Sequence, residues 1–277
     1  MAELPELETV RRELEKEAVG KRFKTPEVTG TKVARHNGKK EFQARLEGAK
    51  VKSVDRKGRH LVGNLDSGEL LVVDLADGAR LEKVAPKSTP PKGTSVVFSF
   101  TQGGQIRLVD PSGTAQAFVV ASDALADEVP AIAAGGLDPV ADAVSWTSFA
   151  RVILARSTKL KTLLMDPEVV AAIGPIYSDE ILWEAGLRHD RISNELSSQE
   201  IRRLFRALVE TLHEAVKHRG TTVDDFPFVD LYGKPGDYQG ELKVFGREGE
   251  PCRRCRAPIA KIRFSNRPLY YCEACQV

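Results

Sequence analysis

Two groups of residues in this 277-residue chain have the types and spacing to do chemistry. The first is Ala2-Glu3, directly after the initiator. Ala2 is small, so removal of Met1 is expected, which leaves a free α-amine followed at once by a carboxylate. An α-amine titrates near about 7.7–8.0, so part of it is neutral and nucleophilic at cellular pH. A neutral amine beside an acid can attack a sugar C1′ and form a Schiff base while the acid manages protons. The second group is Cys252-Arg253-Arg254-Cys255 and, after 16 residues, Cys272-Glu273-Ala274-Cys275, which together use all four cysteines. Two CxxC pairs at this spacing read as a tetrahedral zinc site, structural because no ligand position is left open. Two disulfides are the competing reading; a cytosolic chain disfavours them. The N-terminus is acidic and helical rather than a basic-then-apolar leader, so the chain reads as cytosolic.

Both groups need elements to position them. Pro5 suits the first turn of a helix, where its missing N–H costs nothing. Glu6 and Glu8 complement the positive helix end, and Leu7, Val10 and Leu14 fall on one face at helical spacing. Residues 20–120 alternate short β-type runs (51–54, 60–62, 70–73, 96–100 and 105–109) with turns at Asp66-Ser67-Gly68 and Gly103-Gly104. That spacing predicts an antiparallel sandwich or barrel. Residues 85–93 read as a loop within it, and 122–141, rich in Ala, Asp, Gly and Pro, as a linker. From 142 the pattern is helical, with Val144, Phe149, Val152, Ile153 and Leu154 as one stripe. Ser197 and Glu200 form a capping box. It opens a helix lined by Ile201, Leu204, Phe205, Leu208, Leu212 and Val216, which Arg219-Gly220 stops. Between the cysteine pairs, 259–264 and 269–271 read as strands, with Ser265-Asn266-Arg267-Pro268 as their turn.

Charge is informative in its distribution. The chain is 42% hydrophobic and 29% charged with a net charge of only +2. Residues 243–271, however, carry eight Lys and Arg against Glu248 and Glu250. Such a local excess is the electrostatic footprint of phosphate contact. No apolar run approaches the roughly 18 residues of a membrane span.

Ala2-Glu3-Leu4-Pro5-Glu6-Leu7-Glu8-Thr9 resembles the opening of the formamidopyrimidine-DNA glycosylase/endonuclease VIII family, and the resemblance runs from residue 2 to 276. Lys159–Asp166 continuing to Ile173–Glu180 is similar to the family's helix-two-turn-helix. Residues 230–238 resemble the segment before its zinc finger, and 246–252 the entry to it. The resemblance implies an α+β multidomain fold with four parts. These are an N-terminal helix on a β-sandwich (1–121), a linker (122–141), a helix-two-turn-helix domain (142–240) and a zinc-bearing hairpin (241–277). It implies Ala2 as nucleophile, with Glu3 and Glu6 as catalytic carboxylates. The position of the family's elimination-promoting lysine holds Arg59, and Lys57, two residues away on the same strand face, is the expected stand-in. Lys161, Tyr177, Lys234, Asn266 and Arg267 are implied as DNA contacts, and Cys252, Cys255, Cys272 and Cys275 as ligands of a structural Zn2+.

Other family positions depart. Ala172 replaces a glycine and Pro175 an asparagine in the helix-two-turn-helix. Asp77 stands where the family inserts a methionine into the duplex, and Ser112-Gly113-Thr114 stands in place of its Arg and Phe wedges. The implied activity is excision of damaged or unusual bases with associated abasic-site lyase activity. The implied partner is lesion-bearing or abasic double-stranded DNA, held in a basic cleft between domains by a monomer in the cytoplasm, at the nucleoid. Two rivals stay open: a non-catalytic binder of damaged DNA on the same scaffold, and a zinc-ribbon RNA-binding module.

Overall fold

The computed structural model describes residues 2–30, 33–34, 37–85 and 88–277. Met1, and Pro86 and Lys87 of the expected loop, lie outside the described residues. The first helix, α1, runs Leu4–Ala18 with Pro5 in its first turn. A capping box closes it: the Glu3 N–H donates to Glu6 Oε2 at 2.9 Å, and the Glu3 side chain accepts from the Glu6 backbone. Leu7, Val10 and Leu14 are buried, as their spacing predicts.

After α1 come β1 (Glu27–Val28), helix α2 (Lys39–Leu46), β2 (Val51–Lys57), β3 (His60–Leu65) and β4 (Glu69–Asp74). β5 (Arg80–Val84), β6 (Thr94–Ser99), β7 (Gln105–Val109) and β8 (Gln116–Ala121) follow. They make two antiparallel sheets, ordered β2-β3-β4-β8 and β1-β6-β7-β5. Leu14, Phe23, Val54, Leu61, Leu81 and Phe98 converge on the apolar space at the heart of this unit. The expected strands are present. β1, β5 and β8 are additional, and β5 (Arg-Leu-Glu-Lys-Val) has one fully buried side chain, too little apolar pattern to announce a strand.

The region expected as a linker is partly helical. Its first half forms α3 (Leu125–Glu128) and α4 (Pro130–Ala133). Leu125 and Val129 pack on Val62, Val72, Phe118 and Val120 of the sheet. Farther on, Gly136 N–H donates to Pro167 O at 2.8 Å, and a side chain at 136 would collide with the Val169 backbone.

The chain forms two compact units, and they divide it differently from the expected boundaries. Residues 1–134 fold with 219–237, and residues 135–218 with 238–277. The carboxylates of α1 explain why 219–237 belongs to the first unit. Glu6 Oε1 accepts the Thr221 N–H at 2.7 Å, Glu13 Oε2 accepts the Leu231 N–H at 2.9 Å, and Glu17 Oε1 accepts the Tyr232 hydroxyl at 2.8 Å. Gly220, at φ 85°, lies so close to Glu6 that a Cβ there would sit 2.5 Å from its carboxylate.

The second unit contains α5 (Trp146–Leu154), α6 (Leu160–Leu164), α7 (Pro175–Ala185) and α8 (Ser198–Lys217). Of the stripe expected on α5, Phe149 and Ile153 are buried, whereas Leu154 is 45% exposed, a third of a turn beyond Ile153. Ser197 and Glu200 form the expected capping box on α8, and Ile201, Leu204, Leu208, Leu212 and Val216 are buried. β9 (Ala260–Phe264) and β10 (Arg267–Tyr271) pair with Arg267 opposite Phe264. The turn is therefore only Ser265-Asn266, both at positive φ (46° and 65°), a two-residue hairpin loop of the kind that matches strand twist. Arg267 and Pro268, expected in the turn, begin β10 instead.

Replacing Glu13 by alanine is expected to leave the buried Leu231 N–H without an acceptor and to cost about 1–3 kcal/mol. Urea denaturation checks this; an unchanged midpoint would show that α1 does not hold the 219–237 segment.

Candidate functional site

The four cysteines come together as their spacing predicts. Their sulfurs all lie within 4.8 Å of one another, with Cys252 Sγ 3.8 Å from Cys275 Sγ and Cys255 Sγ 3.4 Å from Cys272 Sγ. A tetrahedron with Zn–S bonds of about 2.3 Å has edges of about 3.8 Å, so the cluster fits one zinc ion held by four thiolates. No disulfide joins them. Trp183 of α7 braces the site: its indole N–H donates to Cys252 Sγ at 3.4 Å, and the Arg254 guanidinium stacks 3.9 Å from the ring centre. The site is structural and lies at the base of the β9–β10 hairpin.

At the hairpin tip, Arg267 and Asn266 are exposed. Among the described residues, no ion pair engages Arg256, Arg263 or Arg267, so their guanidinium groups remain available. Arg267, Ser265 and Phe264 share one groove with Lys161, Thr162 and Pro175. Two of the expected DNA contacts, Lys161 and Arg267, are brought together there.

Lys161 and Tyr177 are placed otherwise than expected. Tyr177 is fully buried, its ring 6.0 Å from that of Tyr238. Lys161 is 2% exposed, with Nζ 2.7 Å from Asp179 Oδ1 and 3.0 Å from Pro175 O. Neither side chain reaches solvent, where a phosphate would be. Burial pushes the Asp179 carboxyl up to about 6 against the pull of Lys161 and of the Tyr270 amide. Pro175 occupies the first turn of α7, where a proline is favourable, and Ala172 before it adopts φ 52°, the left-handed conformation a glycine would take without strain. Lys234 is exposed on a tight loop closed by Asp230, whose Oδ1 accepts the Tyr232 and Lys234 amides at 2.9 and 2.8 Å.

At the other candidate centre, Ala2 is half-buried and Glu3 is 2% exposed at the start of α1. Glu6, expected to be catalytic, is committed to backbone amides at both oxygens, those of Glu3 and Thr221. Lys57 and Arg59 do not share a strand face. β2 ends at Lys57, Gly58 takes φ 58°, and Arg59 lies in the turn before β3. Arg59 is tied by Nε to Asp74 Oδ1 at 2.9 Å and by a second nitrogen to Leu75 O at 3.1 Å. Lys57 is exposed on the face opposite Arg56, and it is Arg56 that meets α1, through Glu8 Oε2 at 3.3 Å.

The loop at Asp110 is a rigid polar tip. Asp110 accepts from Ser112 Oγ at 2.7 Å, the Gly113 amide at 3.0 Å and the Ala115 amide at 2.8 Å. Ser112, Gly113, Thr114 and Asp77 are exposed.

Sequence reasoning missed the carboxylates that hold the site together. Glu180 accepts the amides of Lys243, Val244 and Phe245 at 2.8, 2.9 and 2.9 Å, which anchors the irregular segment that leads into the zinc hairpin. Two adjacent acids on the apolar helix α7 were the available signal, since a buried carboxylate has to find donors.

Native protein is expected to carry one zinc per chain by elemental analysis. Chelation or Cys272→Ser is expected to unfold the hairpin and alter Trp183 fluorescence; an unchanged spectrum after full zinc removal would refute a structural role for the ion.

Three family models match along the chain. They are the formamidopyrimidine-DNA glycosylase N-terminal domain over residues 1–116, the formamidopyrimidine-DNA glycosylase H2TH domain over 136–226, and the zinc finger found in FPG and IleRS over 249–277. The formamidopyrimidine-DNA glycosylase of Pelotomaculum thermopropionicum is 37% identical over 276 residues, spanning 100% of this chain and 99% of its own length. That of Geobacillus kaustophilus is 37% identical over 277 residues, spanning 100% of both. Among solved structures, Lactococcus lactis Fpg in complex with an abasic site containing DNA is similar with a TM-score of 0.90 and 28% identity over 99% of each chain. MutM (FPG) from Thermus thermophilus gives 0.87 and 31%, over 99% of this chain and 98% of its own. With its zinc hairpin, helical unit and sandwich matched in order over its full length, the chain belongs to the formamidopyrimidine-DNA glycosylase family.

Proposed function

We propose that this chain is a DNA glycosylase with associated abasic-site lyase activity, acting on damaged or unusual bases and on abasic sites in double-stranded DNA. The observation that carries the reading is the full-length family match in a chain that places Ala2, directly after Met1, and the buried acid Glu3 at the start of α1. In the processed chain the neutral Ala2 amine attacks C1′ of the extruded nucleotide. The C1′–base bond breaks, the base departs with its electron pair, and the amine nitrogen gives up a proton; the C1′–O4′ bond then breaks, O4′ takes a proton, and the opened sugar is left as an iminium on the Ala2 nitrogen. Glu3 transfers protons to and from the sugar. Loss of a C2′ proton from the iminium then expels the 3′ phosphate, which is the lyase step.

Other residues take supporting roles in this reading. Arg267, on a rigid strand end with an uncommitted guanidinium, suits a backbone phosphate held bidentately. Asn266 beside it and Lys234 on its closed loop are exposed and serve the same backbone. Glu6 acts as a positioning carboxylate, because both its oxygens already hold amides. Tyr177 and Lys161 act from inside the unit. No described helix is long and apolar enough to cross a membrane. In this reading the chain works on chromosomal DNA in the cytoplasm, at the nucleoid.

Borohydride is expected to trap a covalent adduct between the Met1-processed chain and abasic DNA, with a yield that rises as pH passes through about 7.7–8.0 and the amine loses its proton. Glu3→Gln is expected to slow base release by about 10²–10⁴. Binding of abasic DNA with no adduct, or a native mass that retains Met1, would defeat the Schiff-base reading in favour of a non-catalytic binder.

A further inference from the structure

We propose that Asp179 is a positioning residue for DNA binding, which sets where Arg267 stands relative to the start of α7 by holding Lys161 with one carboxylate oxygen and strand β10 with the other. The inference rests on the reading above that Arg267 takes a backbone phosphate.

Asp179 is 1% exposed. Its Oδ1 accepts Lys161 Nζ at 2.7 Å, and its Oδ2 accepts the Tyr270 N–H at 3.0 Å. Lys161 spends a second donor on Pro175 O at 3.0 Å, the first residue of α7. One buried carboxylate therefore ties together α6, the N-terminal turn of α7 and the outer edge of β10. Arg267 lies three residues before Tyr270 on that strand and lines the same groove as Lys161 and Pro175. The neighbouring Glu180 secures the same strand indirectly: it holds the Phe245 amide, and the Phe245 ring packs edge-on against Tyr270 at 5.0 Å.

Stability alone is a poor account of this arrangement. A buried ion pair loses hydration that its mutual attraction only partly returns, and an apolar pair of similar volume often serves stability as well or better. What the ion pair supplies is direction, because each oxygen accepts from one fixed donor. A hairpin of two strands is soft by itself; β10 held at Tyr270 carries Arg267 as a fixed arm. A phosphate contact depends on such placement, since small misplacements of a positioning group are costly.

The test is a mutant cycle with Arg267, read by affinity for an abasic-site duplex across a salt series. Lys161→Met/Asp179→Leu removes both charges together and avoids stranding one. With zinc content and melting midpoint retained, it is expected to weaken binding about tenfold and to lower the salt slope by about one, the loss of one phosphate contact. Arg267→Ala is expected to do the same, and the combined variant to be little worse than either. Should the double variant lose zinc or fold, Lys161→Met/Asp179→Asn, which again removes both charges and unties the Tyr270 acceptor from Lys161, carries the same cycle. Additive losses with Arg267→Ala, or an unchanged salt slope, would overturn the proposal. Incision of the duplex by the wild-type chain separates the two claims, since a wild type that binds and cuts while the cycle is additive fails only the positioning role. A wild type that neither binds nor cuts abasic DNA fails the glycosylase reading, and this inference with it.

Discussion

A carboxylate that leaves water has to be met by N–H groups, and this fold is assembled around that constraint. Glu180 takes three consecutive amides, Asp179 an ammonium and an amide, Glu6 two amides and Asp110 two amides and a hydroxyl. In each case the acid sits on a regular element or at its end, and most of the donors come from chain with little regular structure of its own. The segments 219–237, 243–245 and 112–115 are all held in this way. An unmet acid at such a position is an uncompensated buried charge, worth about 3–5 kcal/mol against the fold. The acids therefore select one conformation for each irregular segment, which apolar packing of the same loops could not do.

The zinc hairpin extends the same logic with a metal. Between Cys252 and Cys275 few side chains are fully buried, Ile259, Leu269 and Cys272 among them, too few for a core. Four thiolates around one ion supply the missing cohesion, and Trp183 joins the site to α7 through its indole N–H. The result is a short, exposed two-residue turn with an uncommitted arginine beside it. It is a stiff basic tip on a unit whose other basic side chains are largely paired.

The chain keeps its family's frame and changes the groups at its edges. The opening position holds Ala2. Arg59 is engaged by Asp74 and the Leu75 carbonyl. The exposed tip at 112–114 consists of a serine and a glycine bonded to Asp110 and a threonine bonded to that serine. Such a tip is small, polar and hydrogen-bonded to its own base, so it presents no bulky apolar wedge. These positions are on loops, where a change of residue alters chemistry without disturbing the sheets beneath.

Much of this was legible in the residues alone, and the division follows from physics. CxxC pairs, a capping box, the apolar face of α1 and alternating strands are local patterns, and each appears where its spacing places it. The sequence also carried the family, because its signals sit at fixed offsets from one another. It could not show that Lys161 and Tyr177 are buried, that Glu6 and Glu13 reach more than 200 residues along the chain to hold amides, or that residues 219–237 leave the helical region to pack with the first unit. It also could not show that Lys57 and Arg59, two apart, are separated by a turn. A side chain's partner across the fold has no period and no spacing. Only the tertiary structure decides which buried charge meets which donor, because that pairing is settled by the whole set of groups removed from water together.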